Sequence, residues 1–254
     1  MIVSTEAVVL HSMKYGDTSK IVSLYSRKYG KIKVIAKGAR TLNNKFGASL
    51  EPLTYSSVVF YKKEQKTLYL LSKSEIVQPQ KHLFSHSEKM LIGLALVELI
   101  NKVMHDEEEH EEIFQLLTNA LHSINTAEKN LFNIIIAFQL QLFHHFGFGL
   151  ELQQCSHCKK NLHQNSSHVY LLLSRDAVMC SQCHETHKGG IGIPQNIFSL
   201  LSFFASNTFS AIYEQELSSS LQKSLTSILH SYMHYHIEET KNLHSLSLLH
   251  SFYH

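Results

Sequence analysis

Four cysteines have the types and spacing that most clearly offer chemistry. They fall as Cys155-x2-Cys158, then 21 residues, then Cys180-x2-Cys183. Thiols two residues apart can grip a metal, exchange electrons or attack a substrate. Two such pairs are what tetrahedral zinc requires, because each short loop points two thiolates at one ion and the intervening residues form a hairpin that joins the halves. The gap is one residue longer than the usual zinc-ribbon range. Between the pairs, HVYLLLS (His168–Ser174) reads as a strand, which suits a ribbon. A redox dithiol would stand beside a βαβ pattern, and none is visible. A catalytic zinc keeps an open position that four thiolates would close. His157, His163, His184 or His187 could stand in for one cysteine. The expectation is one structural zinc ion on Cys155, Cys158, Cys180 and Cys183.

A second kind of chemistry lies in GKIKVIAKGAR, residues 30–40. Read as a strand, Ile32, Val34 and Ala36 face one side, and Lys31, Lys33 and Lys37 the other. That side advances about 6.6 Å for each two residues, so the row of ammonium groups has a spacing that can track a phosphate backbone. Arg40 follows at the strand's end, and Lys14, Lys20, Arg27 and Lys28 extend the row. Tyr15, Tyr25, Tyr29, Phe46 and Tyr61 lie among these charges, and small barrels use aromatic faces beside a basic groove to stack unpaired bases. For each aromatic taken singly, core packing is the preferred reading. The lysines would also serve simply to keep a sheet face soluble, so this pattern leaves nucleic-acid binding and plain solvation both open.

The chain has 254 residues, 44% of them hydrophobic, enough for a sizeable core or for two modest domains. Four cysteines without a secretory leader point to a reducing, cytoplasmic setting. The most apolar runs are shorter than a bilayer needs and are interrupted by Glu98, Asn133, Gln139 and Gln141. The formal charge of +2 hides an asymmetry. Residues 1–80 hold 13 Lys and Arg against 5 Asp and Glu, and the remainder holds 10 against 16. The first segment is therefore the one expected to meet something anionic.

Elements that would position these residues follow from periodicity. Five runs rich in β-branched and aromatic residues, Thr5–Lys14, Thr18–Arg27, Lys31–Lys37, Leu53–Lys62 and Thr67–Val77, are separated by turn signals including KYG (28–30) and KKEQK (62–66). Five short strands with no room for crossover helices predict a small closed barrel. After Pro79 the period turns helical. Ser85 and Glu88 have capping-box spacing ahead of a helix that is apolar nearly all round. Helices are expected over Glu111–His122, Glu128–Phe146, Ile197–Ala205 and Leu217–Glu239, with GGIGIP (189–194) as a stiff turn. The acidic run DEEEHEE (106–112) could mimic nucleic acid or repel it. A solvated helix start is preferred, since carboxylates favour a helix amino-terminus.

The opening TEAVVLHSMKYGDTSKIVSLYSRKYGKIKVIAKGAR, followed by LEPLTYSSVVFYKK, resembles the amino-terminal domain of the RecO family of recombination-mediator proteins. The resemblance implies an OB-fold barrel followed by a helical domain that carries a four-cysteine zinc ribbon. It also implies binding of single- and double-stranded DNA, annealing of complementary strands, and, with RecR, loading of the RecA recombinase onto DNA coated by single-strand binding protein. Lys37 and Arg40 match the KGAR motif that the family uses at DNA, and the four cysteines match its zinc positions. The chain departs from the family pattern after KGAR, where TLNNK replaces further arginines, and it holds only three Arg in all.

The expected architecture is therefore α+β: a five-stranded OB-fold barrel at residues 1–78 and a helical domain at 81–254, with the ribbon inserted at 151–190. The candidate DNA contacts are Lys31, Lys33, Lys37, Arg40, Lys14, Lys20 and Arg27. The expected partners are single- and double-stranded DNA, a RecR-type mediator, single-strand binding protein and, indirectly, a RecA-type recombinase, with no membrane and no small-molecule substrate. No nucleophile–base pattern or phosphate loop is present, so no enzyme is expected. The expected location is cytoplasmic and nucleoid-associated. An RNA-binding barrel and a protein-interaction scaffold stand as alternatives.

Overall fold

A computed structural model describes residues 1–162, 168–238, 240 and 243–253, apart from the side chains of 247 and 250–253. The chain divides into two compact units, one of residues 1–126 with the final helix, the other of residues 127–241.

The first unit opens with five strands: β1 (Ile2–Tyr15), β2 (Ser19–Ser26), β3 (Gly30–Ala36), β4 (Tyr55–Tyr61) and β5 (Leu68–Ile76). They close into a barrel in the order β1-β2-β3-β5-β4, with β3 and β5 parallel and every other pair antiparallel. This is the OB barrel the sequence predicts. Period two explains its interior: Ile32, Val34 and Ala36 of β3 are buried while Lys31, Lys33 and Ile35 face outward. Val22, Leu24, Val58, Phe60, Tyr69 and Leu71 fill the same core.

Three helices then pack in this unit: α1 (Lys81–Ser85), α2 (Ser87–Val103) and α3 (Glu111–Thr126). The predicted capping box is absent. Ser85 instead closes α1, its hydroxyl donating to the His82 carbonyl, and α2 starts at Ser87 with no side-chain cap. Glu98, in the apolar stretch of α2, accepts from the backbone N–H groups of His244 and Ser245, at 3.0 and 2.7 Å. It thereby caps the last helix, α9 (His244–Tyr253), because a carboxylate satisfies donors that a helix start leaves open. That helix was not foreseen.

The second unit begins with α4 (Leu131–His145), buried along most of its length. The cysteine segment follows, with β6 (His168–Leu172), β7 (Ala177–Cys180), the short helix α5 (Ser181–His187) and β8 (Ile191–Pro194) in a sheet of order β7-β6-β8. The GGIGIP stretch thus ends as an edge strand rather than a turn: Ile193 is buried, and the Pro that stops the strand sits at its last position. Helices α6 (Gln195–Ser206), α7 (Phe209–Ile212) and α8 (Ser219–His236) complete the unit. Among the described residues no helix is long and apolar enough to cross a membrane.

Candidate nucleic-acid interface and metal centre

The candidate basic residues lie along β1, β2 and β3 and the turns beside them, but their surroundings differ. The acidic run does not stand free in solvent. Between α2 and α3 it folds onto the barrel, where residue 106 forms an isolated parallel bridge with Lys31 and the Glu107 N–H donates to the Lys31 carbonyl at 2.9 Å. This approach requires Gly30, whose φ is 57°; a Cβ there would sit 1.9 Å from the Glu108 carbonyl oxygen.

The strap brings carboxylates to the start of the lysine row. Lys31 Nζ lies 3.5 Å from Asp106 and donates to the Asn101 carbonyl at 3.0 Å, and Lys33 Nζ is 3.8 Å from Asp106. Glu107 takes Lys62 at 3.1 Å and the Tyr69 hydroxyl at 2.5 Å. The Tyr69 hydrogen bond, and then Lys62, hold the Glu107 carboxyl below its ordinary range against the opposing effect of burial. Burial and the same Glu107 push Tyr69 up to about 12. Arg27 pairs with Glu6 at 2.8 Å and Glu111 at 3.4 Å, and its guanidinium lies over the Phe114 ring. Lys20 pairs with Glu51 at 2.8 Å.

The far end of the row is different. The Arg40 guanidinium donates to the Gly16 carbonyl at 3.0 Å, and among the described residues Arg40, Lys14 and Lys37 make no ion pair. Lys37 lines a groove of about 340 Å³ on the β3–β5 side, together with Ile35, Tyr61, Lys63, Lys66, Leu68 and Leu70. Lys63 and Lys66 come from the β4–β5 turn and likewise make no ion pair among the described residues. They were read in the sequence only as part of a polar turn; the charge run KKEQK between two strands was the signal that pointed to them. Of the aromatics, Tyr25 and Phe46 are core residues, Tyr29 packs edge-on against Phe60, and Tyr15 and Tyr61 are exposed. Tyr61, 39% exposed, is the one that lines the groove.

The cysteines converge from both ends of the ribbon. Cys155 and Cys158 lie on a tight loop, where the Lys159 N–H donates to the Cys155 carbonyl and Lys159 itself takes a positive φ of 60°. Cys180 ends β7 and Cys183 sits in the first turn of α5. All four sulfurs lie within 4.8 Å of one another, with Cys158 and Cys180 at 3.8 Å. Tetrahedral zinc with bonds near 2.3 Å places its sulfurs about 3.8 Å apart, so the donor set fits that ion in number, type and spacing. Burial raises the Cys155 thiol, but N–H groups of Cys158, Cys180 and His157 outweigh it and bring the group down to about 6. Burial and the three neighbouring sulfurs push Cys183 up to about 12. Four thiolates this close repel one another, and a divalent cation is what lets all four ionise together. His157 Nδ1 stays 3.8 Å from Cys183, outside the cluster, and His163 lies outside the described residues.

Barrel topology and a closed thiolate cluster define the class: an OB-fold protein with a helical second part that carries a four-cysteine centre. Family models sharpen this. One described as recombination protein O N terminal matches residues 1–80, and one described as recombination protein O C terminal matches residues 85–246. The chain belongs to the RecO family. It is 28% identical over 249 residues to the DNA repair protein RecO of Alkaliphilus metalliredigens, covering 98% of each chain. It is 28% identical over 244 residues to that of Chloroherpeton thalassium, covering 94% of each. Its similarity to the protein of the same name in Salinibacter ruber is higher, 44%, but spans 141 residues, 56% of this chain and 54% of that one.

Proposed function

We propose that this chain is a non-catalytic DNA repair and recombination mediator. In this reading it binds single- and double-stranded DNA, anneals complementary strands and, with a RecR-type partner, helps to place a RecA-type recombinase on DNA coated by single-strand binding protein. A cytoplasmic, nucleoid-associated location goes with that role. The observation that carries the proposal is the groove on the barrel, where Lys37, Lys63 and Lys66 stand around the exposed Tyr61 with no carboxylate partner among the described residues. Three cations beside one aromatic face supply both parts of sequence-independent strand binding, phosphate neutralisation and base stacking. No group transfer is needed. Screening the charge of a strand while leaving its base edges accessible is enough to favour pairing.

Lys37, Lys63 and Lys66 are the primary contacts in this reading, with Lys14 and Arg40 at their flank. Lys31, Lys33, Lys20 and Arg27 join only where a phosphate displaces the carboxylate that each now faces. A salt titration with single-stranded DNA tests the reading, since the slope of log K against log salt is about −0.7 per phosphate neutralised. A slope near zero would remove the groove from DNA binding altogether. A strand-annealing assay, with and without coating protein, tests the mediator role.

Zinc in the four-thiolate centre is structural in this proposal, tying the loop of Cys155 and Cys158 to β7 and α5. Metal analysis should find about one zinc per chain. A chelator should release residues 151–190 to fast amide exchange while the barrel stays protected. Uniform exchange before and after chelation would mean that the ribbon holds without metal.

A further inference from the structure

The second unit carries a cavity that neither the barrel groove nor the thiolate cluster uses. It is about 620 Å³ and lies beside the ribbon, walled by β6, the turn after it, the end of α5 and Tyr235 of α8. Its charge is one-sided. Among the described residues, the ionisable side chains on its wall are Arg175, Lys188, His157, His187 and Tyr235, with no carboxylate. The His157 and His187 rings touch, their centroids 3.9 Å apart, and Tyr235 is 55% exposed.

Two further facts set this wall apart. Of the three arginines in the chain, Arg27 is in ion pairs and Arg40 is bonded to a backbone carbonyl; Arg175 has neither kind of partner among the described residues. Lys188 takes φ 45° and ψ 165°, a backbone state that costs any residue with a Cβ. Gly189 and Gly190 continue the reversal at φ 95° and 87°, and a Cβ on Gly190 would meet the Leu171 carbonyl oxygen at 2.8 Å. A strained lysine held on the wall of a cationic cavity is the kind of outlier that function explains better than packing does.

The wall's chemistry suits an anion joined to a flat ring. A guanidinium fork matches phosphate oxygens two at a time, and an ammonium adds a point charge. An exposed tyrosine face takes a base of any identity. We propose that this cavity is a second nucleic-acid contact, which holds one nucleotide of a single strand with its phosphate between Arg175 and Lys188 and its base against Tyr235. The proposal rests on the mediator reading and extends it: a chain with one contact on each unit holds two strands at once, as annealing needs.

Photo-crosslinking of the full, zinc-loaded chain to an oligonucleotide bearing 5-bromodeoxyuridine, followed by peptide mapping, tests it. Crosslinks are expected at Tyr235 and in barrel peptides. Arg175→Ala with Lys188→Gly, which removes both cations and relieves the strained backbone, should cut the Tyr235 crosslink at least tenfold and slow annealing. It should leave the barrel crosslink and zinc content as they were. Alanine at Lys37, Lys63 and Lys66 should do the opposite. Crosslinks confined to the barrel overturn this second contact and leave the mediator reading intact. A Tyr235 crosslink that survives the Arg175/Lys188 variant overturns the phosphate assignment. No crosslink anywhere, with no salt-dependent binding, overturns the mediator reading itself.

Discussion

The two ends of one basic ridge on the barrel carry the same residue type in different states. At the start of β3, Lys31 is nearly covered, with 14% of its side chain exposed, and it shares Asp106 with Lys33. Past the end of the strand, Lys37 stands over a groove with Lys63 and Lys66, and none of the three meets a carboxylate among the described residues. A count of lysines treats these ends alike. The difference teaches that available charge, not total charge, sets where an anion lands, because a paired ammonium must first lose its partner.

Removing the open end should have the largest effect. Alanine at Lys37, Lys63 and Lys66 together takes away up to three phosphate contacts, so the salt slope should shallow by about 2 and affinity near physiological salt should fall roughly 10–100-fold. Lys31→Ala with Lys33→Ala should cost less than about threefold in the same titration. Equal losses from the two variants would erase the distinction between the ends and restore the even row that periodicity alone suggests.

Removing the strap's charge should move affinity the other way, by less. Asp106→Asn with Glu107→Gln leaves Lys31, Lys33 and Lys62 without these carboxylates. Binding to single-stranded DNA should tighten about three- to tenfold, with the slope steeper by roughly one contact. A double variant that binds no better, while its fold is intact by circular dichroism, would mean that the strap serves the fold and does not compete with the strand.

What was legible in the sequence follows the range of the interactions involved. The five strands, the inward set Ile32, Val34 and Ala36, and the four thiols came from patterns a few residues long, and the structure has them. The closed order with β3 parallel to β5 brings Lys33 beside Leu68, a pairing that no local period encodes. The strap was read as a helix start because its partners lie some 40 to 75 residues away in the chain. The lysines of the groove's rim were assigned to a turn for the same reason, since only barrel closure sets them beside Lys37. Helix α9 was missed because its amino-terminal cap is Glu98, well over a hundred residues earlier, and β8 because Gly and Pro read as a turn until β6 supplies its partner.

The smallest predicted effect concerns how firmly the strap is seated, and pH reads it. Glu107 is held below its ordinary value of 4.5 by the Tyr69 hydroxyl and then by Lys62, so the folded state prefers the carboxylate more than the unfolded state does. A depressed folded value contributes stability that is fully present above 4.5 and is lost as pH falls through the folded value. Because 37% of the Glu107 side chain is exposed, solvent screens much of this contribution. Glu107→Gln should therefore lower the thermal midpoint at pH 7 by about 2–4 °C at most. The gap between wild type and variant should close as the pH is taken below 4.5, since protonation gives the native side chain the neutral state of the glutamine. A gap that stayed constant down to acid pH would place the cost in lost packing, and the strap would then be a structural brace whose charge is incidental to the lysines beside it.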